Sequence, residues 1–230
     1  VTVAAVVLAA SAESAVAEAA GRPAVRRISE SAWAGGAVPI VVVSAERDGE
    51  VAAVLTGSEA VLAEPAPDEA GPVGQMLRGI AVARQTVADT DAALLWPAGM
   101  VWVDAETVTS LIQAHGLDSE AVLRPNWQGE PGWPVLVPVA AQEALEALDP
   151  GRMPSELIDD LEAAGVPIRL LELGDPGVTH GRETALESLP AYEGPAQPVG
   201  GHPPEWGAAA ADHPDDSPLQ GPSLAPYEQA

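Results

Sequence analysis

The residues best equipped for chemistry cluster late in the chain, where His180 and Arg182 flank Gly181 and precede Glu183. An imidazole and a guanidinium two residues apart suit an anion, although a loop His or Arg is more often a solvated surface group. Arg22, in Gly21-Arg22-Pro23, is either a phosphate contact or an ordinary surface Arg, and Arg78 falls on the solvent side of a helical pattern. Trp96, Trp102, Trp127 and Trp133 lie in segments expected to meet at one edge of a sheet. They either line an apolar pocket or fill the core, and a large side chain with a single donor favours the core. Asp104 stands directly before a helical pattern and reads as a cap, not a ligand. Glu156, Asp159, Asp160 and Glu162 form an acidic helix face without metal-ligand spacing, and His202 and His213 have no further ligand near them in sequence. A Walker loop, a G-x-S-x-G elbow and a G-x-G-x-x-G after the first strand are all absent.

Composition narrows the partners. The 230 residues carry 10 basic groups, all Arg, against 34 acidic ones, a net charge of -24. Nucleic acid and anionic membrane surfaces both require basic patches, so neither is expected as a partner. Without cysteine there is no disulfide, zinc ribbon or thiol catalysis. The scarcity of Lys, Phe, Asn, Tyr and Ile beside abundant Ala, Gly, Pro and Arg is the bias of a GC-rich bacterial coding region, with a halophile as the lesser alternative. Apolar Val1–Ala10 lacks the basic flank of a signal peptide and reads as a buried first strand, which sets the expectation of a cytoplasmic protein.

Short apolar runs alternate with helical patterns. Strands are expected at 3–9, 38–44, 60–64, 92–96, 121–124, 134–137 and 168–173. Helices are expected at 13–34 (interrupted at Gly21-Arg22-Pro23), 49–56, 72–87, 104–115, 140–148 and 155–164, with a last turn or two at 184–189. Wholly apolar strands separated by helices imply a mostly parallel sheet covered on both faces, hence a three-layer, Rossmann-like α/β domain over residues 1–189. Ligands of such sheets bind at the carboxyl ends of the strands, here the loops after Ala9, Ser44, Glu64 and Trp96. From Pro190 the chain turns acidic and rich in Pro and Gly, and reads as a disordered or surface-draped tail, with Trp206, Leu219, Leu224 and Tyr227 as potential partner anchors.

Seven stretches, in order, resemble the MobA-like NTP transferases, the molybdenum-cofactor guanylyl- and cytidylyltransferases and their nucleotidyltransferase relatives. "VAAVVLAAS" (3–11) is similar to the first strand and its L-A-A-G loop, and "GRPAV" (21–25) to the start of the first helix. "VPIVVVS" (38–44) matches the second strand, and "GPVGQMLRGI" (71–80) the element near the base and ribose. "LLWPAGMVWVDAETV" (94–108) resembles L-L-L-P-G-D-M-P-L-V-D-P-E-T-I. "GEPGWPVLVP" (129–138) resembles G-x-x-G-H-P-V-L-F, and "DPGVTHGRET" (175–184) stands where the family has G-V-x-x-D-I-D-T-P. The resemblance implies a nucleotidyltransferase fold and places nucleotide contacts at Ala9, Ala10, Ser11, Arg22, Gly71 and Gly74.

The departures fall on the chemistry that the resemblance implies. Ser11 replaces the loop Gly, and the family's Arg and Lys around a triphosphate have no counterpart, while Glu13 and Glu18 would repel one. The positions of the Mg²⁺-binding Asp residues carry Gly99 and either Gly181 or Glu183, and Trp133 replaces the family His. A charged donor needs a positioned metal and a cationic clamp. The expectation is therefore a family member with impaired catalysis that serves as a binding or accessory protein for a nucleotide or a protein partner. No catalytic residue and no metal ligand is assigned, and Mg²⁺ with a nucleoside triphosphate is expected only if activity is retained. Two alternatives remain: an active transferase with altered ligands using Glu183 and Arg182, and an interaction scaffold working through its tail.

Overall fold

Apolar runs on both faces of a strand demand cover on both faces, and the computed structural model, which describes residues 1–195, supplies it. The elements in chain order are β1 (Val3–Leu8), α1 (Ala12–Val16), β2 (Glu18–Ala19), β3 (Arg22–Pro23), α2 (Ala24–Ala34), β4 (Ile40–Val43), α3 (Glu50–Leu55), β5 (Ala60–Ala63), α4 (Gly71–Thr86) and β6 (Ala92–Pro97). They continue with α5 (Ala105–Leu117), β7 (Val122–Trp127), β8 (Glu130–Pro131), β9 (Val135–Pro138), α6 (Gln142–Glu146), α7 (Leu157–Ala163) and β10 (Ile168–Glu172). The main sheet runs β10-β7-β9-β6-β1-β4-β5, with the short β8 paired to β7. The β1, β4, β5 and β6 pairings are parallel, as is β7 with β10, whereas β9 runs antiparallel to β6 and β7. The expected mostly parallel, three-layer α/β fold is the one observed.

The strands divide their side chains by alternation, as the pleat requires. Val3, Ala5 and Val7 of β1, Ile40 and Val42 of β4, and Leu94 and Trp96 of β6 meet Val25 and Ile28 of α2 and Val108 and Leu111 of α5 in one core. Ala4 and Val6, Val41 and Val43, and Ala93 and Leu95 face the other way, against Met76 and Ile80 of α4 and Leu157 and Leu161 of α7. Helix α4 can lie this close because Gly79 has no side chain. A Cβ there would stand 2.1 Å from Cγ1 of Val6.

Four expectations change. The single interrupted helix over 13–34 is instead the short α1, a tight β2–β3 hairpin and α2. Ala20 (φ 47°) and Gly21 (φ 77°) form the hairpin turn with the two left-handed residues that the strand twist prefers. Ala-rich sequence favours helix locally, but the turn wins because it is closed by the Glu18–Pro23 and Ala19–Arg22 pairs. The expected helix over 140–148 shrinks to a 3-10 turn (Val139–Ala141) and α6, and the turn at 184–189 to a 3-10 turn at Leu186–Ser188. Strand β7 runs past the expected Arg124 to Trp127 through Pro125. Among the described residues no helix is long and apolar enough to cross a membrane. Near the last of them, Glu193 N donates to Gly174 O at 2.8 Å. Trp206, Leu219, Leu224, Tyr227, His202 and His213 lie outside the described residues.

Candidate functional site

The loops at the carboxyl ends of β1, β4, β5 and β6 satisfy their own polar groups. After β1, the Ser11 hydroxyl accepts from Ser14 N at 3.1 Å and Ser14 Oγ accepts from Ser11 N at 3.0 Å, a reciprocal cap on α1. After β4, the Glu46 carboxylate accepts from Arg47 N, Val51 N and Ala52 N, and these amides hold its pKa below the usual carboxylate value. After β5, Glu64 O accepts from Arg78 Nε at 3.2 Å, so Arg78 is half-buried and engaged rather than turned to solvent.

Between these loops a cleft of about 290 Å³ opens, lined by Leu8, Ala9, Ala10, Val43, Pro72, Gln75, Pro97, Met153 and Pro154. No charged side chain lines it. Its one polar side chain, Gln75, accepts from Ala66 N at 2.8 Å and donates to Ala66 O at 3.0 Å, which leaves its amide largely spent. Of the residues that the resemblance marked for nucleotide contact, Ala9 and Ala10 line this cleft. Gly71, with φ 58°, stands beside it and presses on Pro150 O, which a Cβ would approach to 2.1 Å. Gly74 is one turn into α4, against Ala70. Arg22 pairs with Glu30, which also binds Arg26 at 2.8 Å and has its pKa lowered chiefly by Arg26. Its charge is thus answered by a neighbour on α2.

The loop after β6 meets the loop that carries His180. Arg182 N donates to Gly99 O at 2.7 Å, so the fold brings Gly99, Gly181 and Glu183 to one place. The Glu183 carboxylate accepts from Gly181 N at 3.1 Å, and Gly99 is exposed, with no atom within 4 Å of where a Cβ would stand. A divalent cation in phosphoryl transfer needs several carboxylate or phosphate oxygens. Here there is one carboxylate, turned onto its own loop, and a guanidinium next to it in sequence. Among the described residues no group of three or more His, Cys, Asp or Glu stands ready to hold a metal ion. These residues do not fit Mg²⁺.

The tryptophans are divided between core and surface. Trp96 is fully buried and donates to Met100 O at 2.8 Å, and Trp102 donates to Gly181 O and Thr184 O. Arg27 lies 4.7 Å above the Trp102 ring. Trp127 and Trp133 are half-buried, and none of the four lines the apolar cleft. His180 packs edge-on to Trp127 at 5.2 Å, with Nδ1 2.8 Å from Pro176 O.

Asp104 caps α5 as expected, accepting from Glu106 N at 2.9 Å. Sequence reading missed the carboxylate beside it. Asp175 is 1% exposed and accepts from Asp104 N, Thr107 Oγ1 and Gly177 N. Burial raises its pKa in spite of these three donors. It joins the start of the 175–184 loop to the start of α5. Its only sequence signal is an Asp before Pro-Gly, which marks a turn and says nothing of burial.

With this geometry in hand, the comparisons are decisive for the family. The model of the MobA-like NTP transferase domain matches residues 11–168. The chain belongs to the MobA-like NTP transferase family. Solved structures share the fold at low identity. Rv0371c of Mycobacterium tuberculosis H37Rv, in complex with manganese, is 18% identical at TM-score 0.57, covering 75% of this chain and 89% of that one. A nucleotidyl transferase from Methanothermobacter is 20% identical at TM-score 0.60, covering 74% and 87%. A 4-diphosphocytidyl-2C-methyl-D-erythritol synthase is 17% identical at TM-score 0.57, covering 77% and 90%. No curated protein matches the sequence significantly. Ser11 and Gly99, where the resemblance implies departures, follow strands β1 and β6 of this MobA-like domain.

Proposed function

We propose that this MobA-like protein no longer performs metal-dependent nucleotidyl transfer and acts as a binding or accessory protein in a molybdenum-cofactor type of setting. The observation that carries the reading is the contact of Arg182 N with Gly99 O. It supports the reading because the resemblance implies two metal-binding carboxylates at these loops, where the chain has Gly99 and either Gly181 or Glu183, whose carboxylate accepts from Gly181 N. The rest of the edge supports the same conclusion. No Lys exists in the chain, Arg22 is committed to Glu30, and Glu13 is exposed in the first turn of α1. Catalysis of phosphoryl transfer depends heavily on electrostatic stabilisation of the migrating group, and the loop after β1, residues 9–21, carries no Arg or Lys to provide it.

The test is pyrophosphate release by the full chain with GTP or CTP and Mg²⁺, with and without a molybdopterin acceptor. The expected rate equals that of buffer. Metal-dependent release above that rate, abolished by Glu183→Gln, would establish instead an active transferase with altered ligands.

A further inference from the structure

We propose that the outer edge of β5 is a docking surface for a basic, extended segment of another protein, which adds to the sheet as a further strand. This goes beyond the reading above and does not depend on it. Strand β5 ends the sheet, three strands along from β6 and the loop that carries Gly99.

The edge is open. Strand β5 pairs in parallel with β4, from Ile40 opposite Ala60 to Val43 opposite Ala63. In a parallel ladder a residue turns its N–H and C=O to the same side, and the side alternates along the strand. Ser44 N donates to Ala63 O at 3.2 Å, so Ala63 and Val61 serve β4, and the N–H and C=O of Leu62 face outward. Among the described residues no strand pairs with that outward side. Val61 on the same edge is 41% exposed, an apolar side chain that a cross-strand neighbour would cover. Such an edge is a template for strand addition.

Charge selects the occupant. Exposed Glu59 and Glu64 flank β5 at its two ends. The stretch 46–69, which contains β5, holds seven carboxylates against one cation, Arg47, which lies 3.9 Å from Glu50. Two Arg side chains reach this stretch from other elements, and both are engaged. Arg26 donates to Glu30 and to Thr56 O, and Arg78 donates to Glu64 O. A second copy of the chain is a poor occupant, because antiparallel pairing of two β5 strands sets Glu59 of one beside Glu64 of the other, on chains of net charge -24. Residues 183–230 of the chain itself contain no Arg or Lys. Lys or Arg side chains on a partner strand answer both flanking carboxylates. The opposite edge, β10, carries Arg169 within it and suits a basic strand less.

An anchor adjoins the edge. Ser58 and Glu59, which lead into β5, line a pocket of about 180 Å³ with Ser29, Glu30 and Trp33 of α2. Trp33 is 50% exposed and belongs to neither core. Trp is enriched among the residues that dominate protein interfaces, and this one can pack an aliphatic side chain at the end of the added segment.

The test is fluorescence anisotropy of a labelled Lys-Val-Lys-Val-Lys-Val peptide with the full chain at about 0.15 M salt. Saturable binding with a Kd below about 1 mM is expected. The same peptide N-methylated at every residue keeps its charge and loses its donors, and should bind about tenfold more weakly or worse. Glu59→Lys and Trp33→Ala, both at exposed positions, should each weaken binding about fivefold or more, while Glu162→Lys, an equal charge change on exposed α7, should stay within about twofold. The proposal is overturned if the N-methylated peptide binds as tightly, if Glu162→Lys weakens binding as much as Glu59→Lys, or if no saturable binding occurs below about 1 mM. Sedimentation as a dimer that Val61→Lys dissolves would assign the edge to a second copy and overturn it too. None of these results bears on pyrophosphate release, so the two readings stand or fall separately.

Discussion

The main-chain N–H of Arg182 donates to the carbonyl of Gly99 across 2.7 Å, joining two loops 83 positions apart at the carboxyl edge of the sheet. On the proposed reading these two loops carry the positions of two lost metal ligands. Gly99 has room for one, since a Cβ there meets nothing within 4 Å, and its φ is not left-handed. Gly99→Asp should therefore change stability by less than about 0.5 kcal/mol. Combined with Arg182→Gln, it should create a divalent-cation site shared with Glu183. In a thermal melt, millimolar Mn²⁺ should raise the midpoint of the double variant by about 2 °C more than that of the natural chain. Equal shifts would show that the two loops do not present side chains to one point.

Asp175 ties the start of the same 175–184 loop to α5. Its carboxylate takes N–H and O–H groups from Asp104, Thr107 and Gly177, and removing it strands all three. Asp175→Ala should cost about 2–4 kcal/mol in urea unfolding. The pH dependence has a definite sign. Burial raises the folded pKa above 3.8, so the unfolded chain ionises first as pH rises. The stability advantage of the natural chain over Asp175→Asn should be greatest below about pH 3.8 and shrink as pH climbs through the folded value. An advantage that grows with pH would mean that the three donors outweigh burial.

His115 makes the opposite case at the far end of α5. It is 1% exposed, and among the described residues neither ring nitrogen has a hydrogen-bond partner. Burial lowers its pKa, against the upward pull of Asp91 and Asp118. Below about pH 6.5 the unfolded chain takes up a proton that the folded chain refuses, so stability falls as pH drops. His115→Leu removes both orphaned nitrogens. It should match or exceed the natural chain at pH 7 and lose less stability between about pH 6.5 and 5. Identical pH profiles for the two proteins would contradict this account of His115.

How far the sequence speaks differs between frame and edge. Strands β1, β4 and β6 are legible because runs such as Val38–Val43 have no polar alternative to burial between two layers, and α5 because Asp104 announces its start. The β2–β3 hairpin is hidden inside Ala-rich sequence, where local propensity points to helix and only the Ala20-Gly21 turn says otherwise. Strand β7 reads short because Pro125 and Asn126 are poor strand formers, yet pairing with β10 carries it through to Asn126. At the site, the convergence of Gly99 with Gly181 follows from the resemblance, since spacing along the chain cannot reveal a contact between distant loops. The apolar cleft is less legible, because Met153 and Pro154 enter it from a stretch whose pattern shows only a helix start. The engagement of Arg22 by Glu30 depends on how the hairpin folds back on α2, which residue types alone do not give.

The central claim is that this edge no longer grips a metal-bound triphosphate. The most direct measurement is the melting midpoint of the full chain with saturating GTP or CTP, in Mg²⁺ and again in EDTA. A ligand at 100 times its Kd would stabilise the fold by about 2.7 kcal/mol. The account predicts the same midpoint in both solutions for either nucleotide. A nucleotide-specific rise of several degrees that appears only with Mg²⁺ would contradict it.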